Sequence, residues 1–145
     1  MPTTRAFFAS PQEAEAAFYD ALERADLDAM IGVWAEDDEV VCIHPGGPRL
    51  SGLPAVREAW GRVFKGVKRL SVRRVALVQT QALMMAVHSV IQYISSPEEQ
   101  RSMPPIVATN VYRRSADGWR MLMHHSSPMP TPPQEPQGNE SRILH

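Results

Sequence analysis

Residues 36–60 read EDDEVVCIHPGGPRLSGLPAVREAW, and no other stretch of the 145-residue chain restricts the fold as much. Glu36-Asp37-Asp38 is an acidic turn. Val40 to His44 is a short run rich in β-branched residues, hence a strand, and Pro45-Gly46-Gly47-Pro48 stops it. A helix follows at once. Pro54 sits in its first turn, Val56, Ala59, Trp60, Val63 and Phe64 make one apolar face, and Gly66 ends it.

Two helices precede this unit. Ser10-Pro11-Gln12-Glu13 has the chemistry of a helix start, and Ala14, Ala17, Phe18, Ala21, Leu22 and Ala25 follow at steps of three and four. Asp26 opens a shorter helix with Leu27, Met30, Ile31 and Trp34 on its apolar stripe. Residues 1–9 read as a loose lead-in.

After Gly66 the period turns from helical to extended. Strands are expected over 70–79, 82–94, 106–114 and 119–125, with Ser115-Ala116-Asp117-Gly118 as a hairpin turn. Leu83-Met84-Met85-Ala86-Val87 carries apolar side chains on both faces. A sheet coated on both sides needs two covers. The helices supply one, and a second copy of the chain is the expected cover for the outer face. From Pro128 to His145 the sequence becomes a Pro-rich polar tail, expected to be extended or disordered; Pro130-Thr131-Pro132-Pro133 fits a PxxP ligand only loosely. Residues 10–127 are therefore the folded domain.

The formal net charge of -1 gives no basic field for nucleic acid. Lys65, Lys68, Arg69, Arg73 and Arg74 cluster, but no aromatic residue lies among them to stack a base. No apolar run reaches the roughly 20 residues of a membrane span. Cys42 is the single cysteine, which excludes an intrachain disulfide and fits a reducing, cytoplasmic compartment. No phosphate loop, ligand-spaced metal motif or Schiff-base context is present, so neither cofactor nor metal is expected.

The order helix, helix, strand, helix and then long antiparallel strands, with DLDAMIGVWAEDDEVVCIHPGGPRLSGLPAVREAW in place, resembles the nuclear transport factor 2-like superfamily, in its SnoaL-like and ketosteroid-isomerase-like branches. The segment from Ala108 to Pro128 looks like the closing hairpin of the SnoaL-like branch. The resemblance implies an α+β fold: a cone-shaped, curved, mostly antiparallel or mixed sheet wrapped around the N-terminal helices, the cystatin-like α+β barrel. It also implies a pocket at one end of the cone and frequent homodimers. Isomerase members carry a carboxylate base where this chain has His44, a tyrosine where it has Phe18, and a protonated acid where it has Asn110. Tyr19 is one step on and is expected to face elsewhere. Steroid isomerisation is not expected from that set.

His44 is the leading candidate, because an imidazole exchanges protons near neutral pH and the resemblance puts it on the pocket side. Asn110 is the candidate hydrogen-bond donor, within an apolar strand. His88, mid-strand, is a further lining candidate. His124 and His125 point to opposite sides of one strand and cannot chelate one ion together. A register with Arg114 opposite Trp119 puts Asn110, Tyr112, Met121, Met123 and His125 on one face, and a one-residue slip exchanges His124 for His125. Phe18, Trp34 and Trp60 are expected to form the apolar wall, and Cys42 shares a face with His44. The expected function is a homodimeric pocket domain binding a small apolar ligand or a protein partner. The alternative is a lyase, isomerase or hydrolase with His44 as general base and Asn110 as donor.

Overall fold

Local capping sets the helices of this computed structural model, which describes residues 5–97 and 101–129. Helix α1 (Pro11–Arg24) begins where Ser10 Oγ accepts the Glu13 amide at 3.1 Å, while Glu13 Oε2 accepts the Ala9 amide at 2.7 Å. It ends at Ala25 in the left-handed conformation, φ 51°. Asp26 Oδ1 caps α2 (Leu27–Val33) by accepting the Ala29 amide at 3.0 Å. Strand β1 (Val41–Ile43) and β2 (Leu50–Ser51) form a small antiparallel pair ahead of α3 (Leu53–Phe64), which has Pro54 in its first turn.

The long strands are β3 (Ser71–Gln81), β4 (Met85–Ser96), β6 (Ile106–Ser115) and β7 (Gly118–Pro128). The sheet order is β2-β1-β7-β6-β4-β3, and β5 (Arg101–Ser102) pairs beside the end of β4. Among the described strands only β1 against β7 pairs in parallel, so the sheet is mixed. It is curved and does not close, and α1 lies against its concave side. This is the expected α+β cone. Phe18, Met30, Val33, Trp34, Val56, Tyr112 and Met121 fill the space between helices and sheet, fully buried. Each large apolar side chain among them contributes on the order of 1.5–3 kcal/mol.

Strand β4 starts at Met85 and not at Ala82, because residues 82–84 make the turn from β3, with the Ala82 amide donating to Met85 O at 2.7 Å. Strand β7 outruns its expected end at His125 and reaches Pro128. Residues 5–9 are anchored and not loose. The Arg5 guanidinium donates to the carbonyls of Gly32 and Trp34 at the end of α2, and to that of Ile31, which also accepts the Trp34 amide. Phe8 bridges Gly118, and the Trp119 amide donates to Phe8 O at 2.9 Å. The expected tail from residue 130 onward, with its PxxP match, lies outside the described residues.

One irregularity decides the site. Arg114 does pair with Trp119, but the β6–β7 register shifts between Val111 and Tyr112. Tyr112 faces Met121 and Val111 faces Met123, so β7 carries one extra residue there. Beyond the bulge every side chain changes face. His124 turns inward beside Asn110 and is buried, while His125 is exposed.

Candidate functional site

A cavity of about 360 Å³ opens at one end of the cone. Leu22 of α1 and Trp60 and Val63 of α3 form one wall. Leu70, Ile94, Ile106 and the Met103-Pro104 segment form the other. The polar side chains lining it are His44, Gln92, His124 and Ser126, and Ser126 Oγ donates to Ile43 O at 3.1 Å. A larger cleft, about 530 Å³, runs between α1, α2 and the Arg5–Phe8 segment. Its charged groups are already paired, as Arg24 is with Asp20 at 2.9 Å and Asp28 with Arg57 at 2.9 Å. The apolar cavity is the better ligand site, since it combines apolar walls with a few convergent polar groups.

His44 stands at the cavity because β1 ends one residue before it and the Gly47 amide closes a turn onto its carbonyl at 2.8 Å. Its ring meets Trp60 edge-on, 4.6 Å between centroids, and its Nε2 lies 3.7 Å from Cys42 Sγ. Burial, and then the positive charge of Arg62, lower its pKa, so the ring is neutral at pH 7. Burial pushes the Cys42 thiol up to about 12. Thiolate chemistry is therefore closed to it at neutral pH.

His124 shares the cavity, its ring centroid 6.4 Å from that of His44. Burial, and then His44 and His125 nearby, lower its pKa to about 3. Phe18 packs on this ring at 4.9 Å and on Trp60 at 5.6 Å.

Behind His124 lies a buried polar network. Its centre is Glu15 Oε2, which accepts from His88 Nδ1 and Tyr112 Oη at 2.8 Å each, and from Asn110 Nδ2 at 3.4 Å. Asn110 Nδ2 also donates to Tyr19 Oη at 3.0 Å, and Tyr19 Oη donates to Gln92 Oε1 at 2.7 Å. His124 Nδ1 donates to Asn110 Oδ1 at 2.6 Å. Burial, and then Glu15, raise the pKa of Tyr112. His88 Nε2 is buried without a partner among the described residues.

The expected site residues thus separate into layers. His44 and Trp60 line the cavity, with Phe18 and Cys42 directly behind them. Asn110, His88 and Tyr112 lie deeper, bonded to Glu15, so Asn110 does not face the cavity as a free donor. Trp34 is core, bridged to Met121. Met123 lies on the outer face opposite Val111, and His125 is exposed; the bulge removes both from the expected inner face. Tyr19, expected to face elsewhere, is buried and joined to Asn110. Glu15, Gln92 and His124 complete the arrangement. Glu15 and Tyr19 are one turn apart on α1, and His88 and Asn110 are directly paired on β4 and β6, so matching those two pairs was the available signal. Among the described residues no three His, Cys, Asp or Glu side chains gather as a metal site, and no helix is long and apolar enough to cross a membrane.

Comparisons with known proteins agree with this fold. The chain is 41% identical to a proposed calcium/calmodulin-dependent protein kinase type II association domain from Thiobacillus denitrificans, with a TM-score of 0.80 over 86% of this chain and 98% of that one. It is 29% identical to a proposed dehydratase of the NTF2-like family from Streptomyces avermitilis, with a TM-score of 0.73 over 81% and 92%. It is 30% identical over 128 residues to F-box protein SKIP8 of Arabidopsis thaliana, covering 88% of this chain but about half, 51%, of that protein. The family model of the SnoaL-like domain matches residues 12–132. The chain is a SnoaL-like domain of the nuclear transport factor 2-like superfamily.

Proposed function

We propose that this chain is a ligand-binding pocket domain that works as a homodimer. Its ligand is a small, uncharged, largely apolar molecule held in the 360 Å³ cavity. One observation carries the reading: apolar walls surround polar groups that are neutral at pH 7, His44 and His124 among them. Such a site desolvates an apolar body at little cost and gives an ion no counter-charge. A reducing, cytoplasmic setting suits the single thiol of Cys42. Self-association through the outer sheet face fits the exposed apolar side chains there and the name of the association-domain relative.

The test is calorimetric titration with neutral bicyclic aromatics against the native chain and an Ile106→Trp variant. Ile106 sits half-buried on the cavity wall, so the larger side chain fills space without entering the deeper network. Binding by the native chain and its loss in a folded Ile106→Trp variant are expected. Equal binding by both would remove the cavity from the reading.

The two neutral imidazoles side by side favour a second reading, a lyase, isomerase or hydrolase with His44 as general base. The proposed dehydratase relative is consistent with it. In that case Asn110 is a positioning residue that holds His124. A His44→Gln variant separates the readings: it abolishes turnover if His44 is the base and leaves ligand affinity nearly unchanged if the domain only binds.

A further inference from the structure

The geometry points to a ligand that presents a hydroxyl at the cavity floor, an alcohol or phenol on an apolar body, in preference to a ketone, an ether or a carboxylate. This rests on the reading of the cavity as a ligand site. The argument follows proton placement through the buried network, starting from Glu15. A carboxylate oxygen accepts, so the Asn110 atom nearest to Glu15 is its NH2. The same NH2 reaches Tyr19 Oη, whose own proton goes to Gln92 Oε1. The remaining atom of the Asn110 amide, Oδ1, can only accept. It lies 2.6 Å from His124 Nδ1, so the proton of this neutral ring is on Nδ1.

That placement leaves Nε2 of His124 as a bare lone pair. No described residue donates to it, and unlike His88 Nε2 it is not sealed in the interior. The ring itself lines the cavity. Gln92 also lines it, and since Tyr19 engages its Oε1, the group it has left for a ligand is its NH2. At the cavity floor His124 and Gln92 therefore present one acceptor and one donor. A hydroxyl donates to the first and accepts from the second. An ether or ketone satisfies Gln92 alone and leaves the His124 lone pair desolvated and unpaired. A carboxylate brings charge against that lone pair in an apolar space.

The test uses the full chain and three probes of one shape: 2-naphthol, 2-methoxynaphthalene and 2-naphthoate. Calorimetry measures affinity, and long-range proton–nitrogen NMR on histidine-labelled protein reads the tautomer of His124. The expected result is a proton on Nδ1, roughly tenfold or tighter binding of the naphthol than of its methyl ether, no measurable binding of the carboxylate, and a shift of the His124 Nε2 resonance on adding naphthol. A His124 protonated on Nε2 overturns the inference whatever binds. Equal binding of naphthol and ether, or preference for the carboxylate, overturns it and leaves the cavity reading standing. If none of the three binds, the cavity reading falls and takes this inference with it.

Discussion

His124 joins the folded state as a neutral ring, and the consequence is measurable. Its pKa is lowered to about 3, while in the unfolded chain a histidine titrates near 6.5. Between those values the unfolded state binds a proton that the folded state refuses. Stability is therefore complete above about pH 6.5 and falls as pH drops, by about 1.4 kcal/mol per unit. A loss of about 2 kcal/mol by pH 5 is expected, and His44 acts in the same direction. The lowered carboxyls of Asp26 and Asp37 lose their contributions only below about pH 4, under the pH 5 end of this comparison. Urea unfolding at pH 7 and pH 5 reads the difference, and a His124→Gln variant should flatten it. Coincident curves for the native chain would show that the ring is not held neutral. At this scale the sequence was only partly legible. His44 was set on the pocket side by the family resemblance, and Trp60 on the apolar wall by helix spacing, which is local. Glu15 was missed because a glutamate in an amphipathic helix reads as solvent-facing, and only its partners on β4 and β6 reveal otherwise. The choice between His124 and His125 stayed open, because the bulge just beyond the hairpin turn that turns His124 inward leaves no local mark in the sequence.

Two turns illustrate how elements are held, and they predict opposite signs. Ala25 ends α1 with φ 51° and ψ 43°, donating its amide to the carbonyls of Ala21 and Leu22. A side chain is strained in that region, and glycine is not. Ala25→Gly should stabilise by about 0.5–1 kcal/mol. Gly118 begins β7 at φ 94°, and a Cβ there would meet Phe8 O at 2.7 Å and Phe8 N at 3.1 Å. Those atoms are the backbone of the anchored lead-in and cannot swing away. Gly118→Ala should cost about 1–3 kcal/mol and release residues 5–9 first. Unfolding midpoints give both energies, and proteolysis near residue 9 reports the release; an unchanged Gly118→Ala midpoint would show that the lead-in yields freely. The helices and the hairpin turn were legible because Ser10, Asp26, Pro54 and Gly118 act within a few residues of themselves. The anchoring of residues 5–9 was not, since its partners, Gly118, Trp119 and the end of α2, are remote in sequence.

At the scale of the molecule, no element among the described residues covers the apolar patch on the outer sheet face. Val75, Val78, Met85 and Val87 lie on it, with Val78 53% and Val87 41% exposed, and Leu77, Leu83 and Met84 extend the patch around the β3–β4 turn. Strand β3 is an edge, but its register breaks between Ala76 and Val78. A bulge twists an edge away from straight pairing, so a partner is better received on the face than along the edge. Across the face Val87, Val111 and Met123 form one apolar row from β4 to β7. A second copy of the chain, packing face to face, would bury that row symmetrically. The expected particle has twice the 16.2 kDa chain mass at about micromolar concentration. Placing a charge at the centre of the patch, as in Val87→Lys, should weaken association roughly tenfold or more, because the ammonium must be desolvated with no partner. Monomer stability should change little, since the side chain already meets solvent on one side. Light scattering and sedimentation over a dilution series distinguish the outcomes. A native chain that stays monomeric through that range would exclude this face as a dimer interface, and a Val87→Lys variant that associates as strongly as the native chain would move the interface elsewhere.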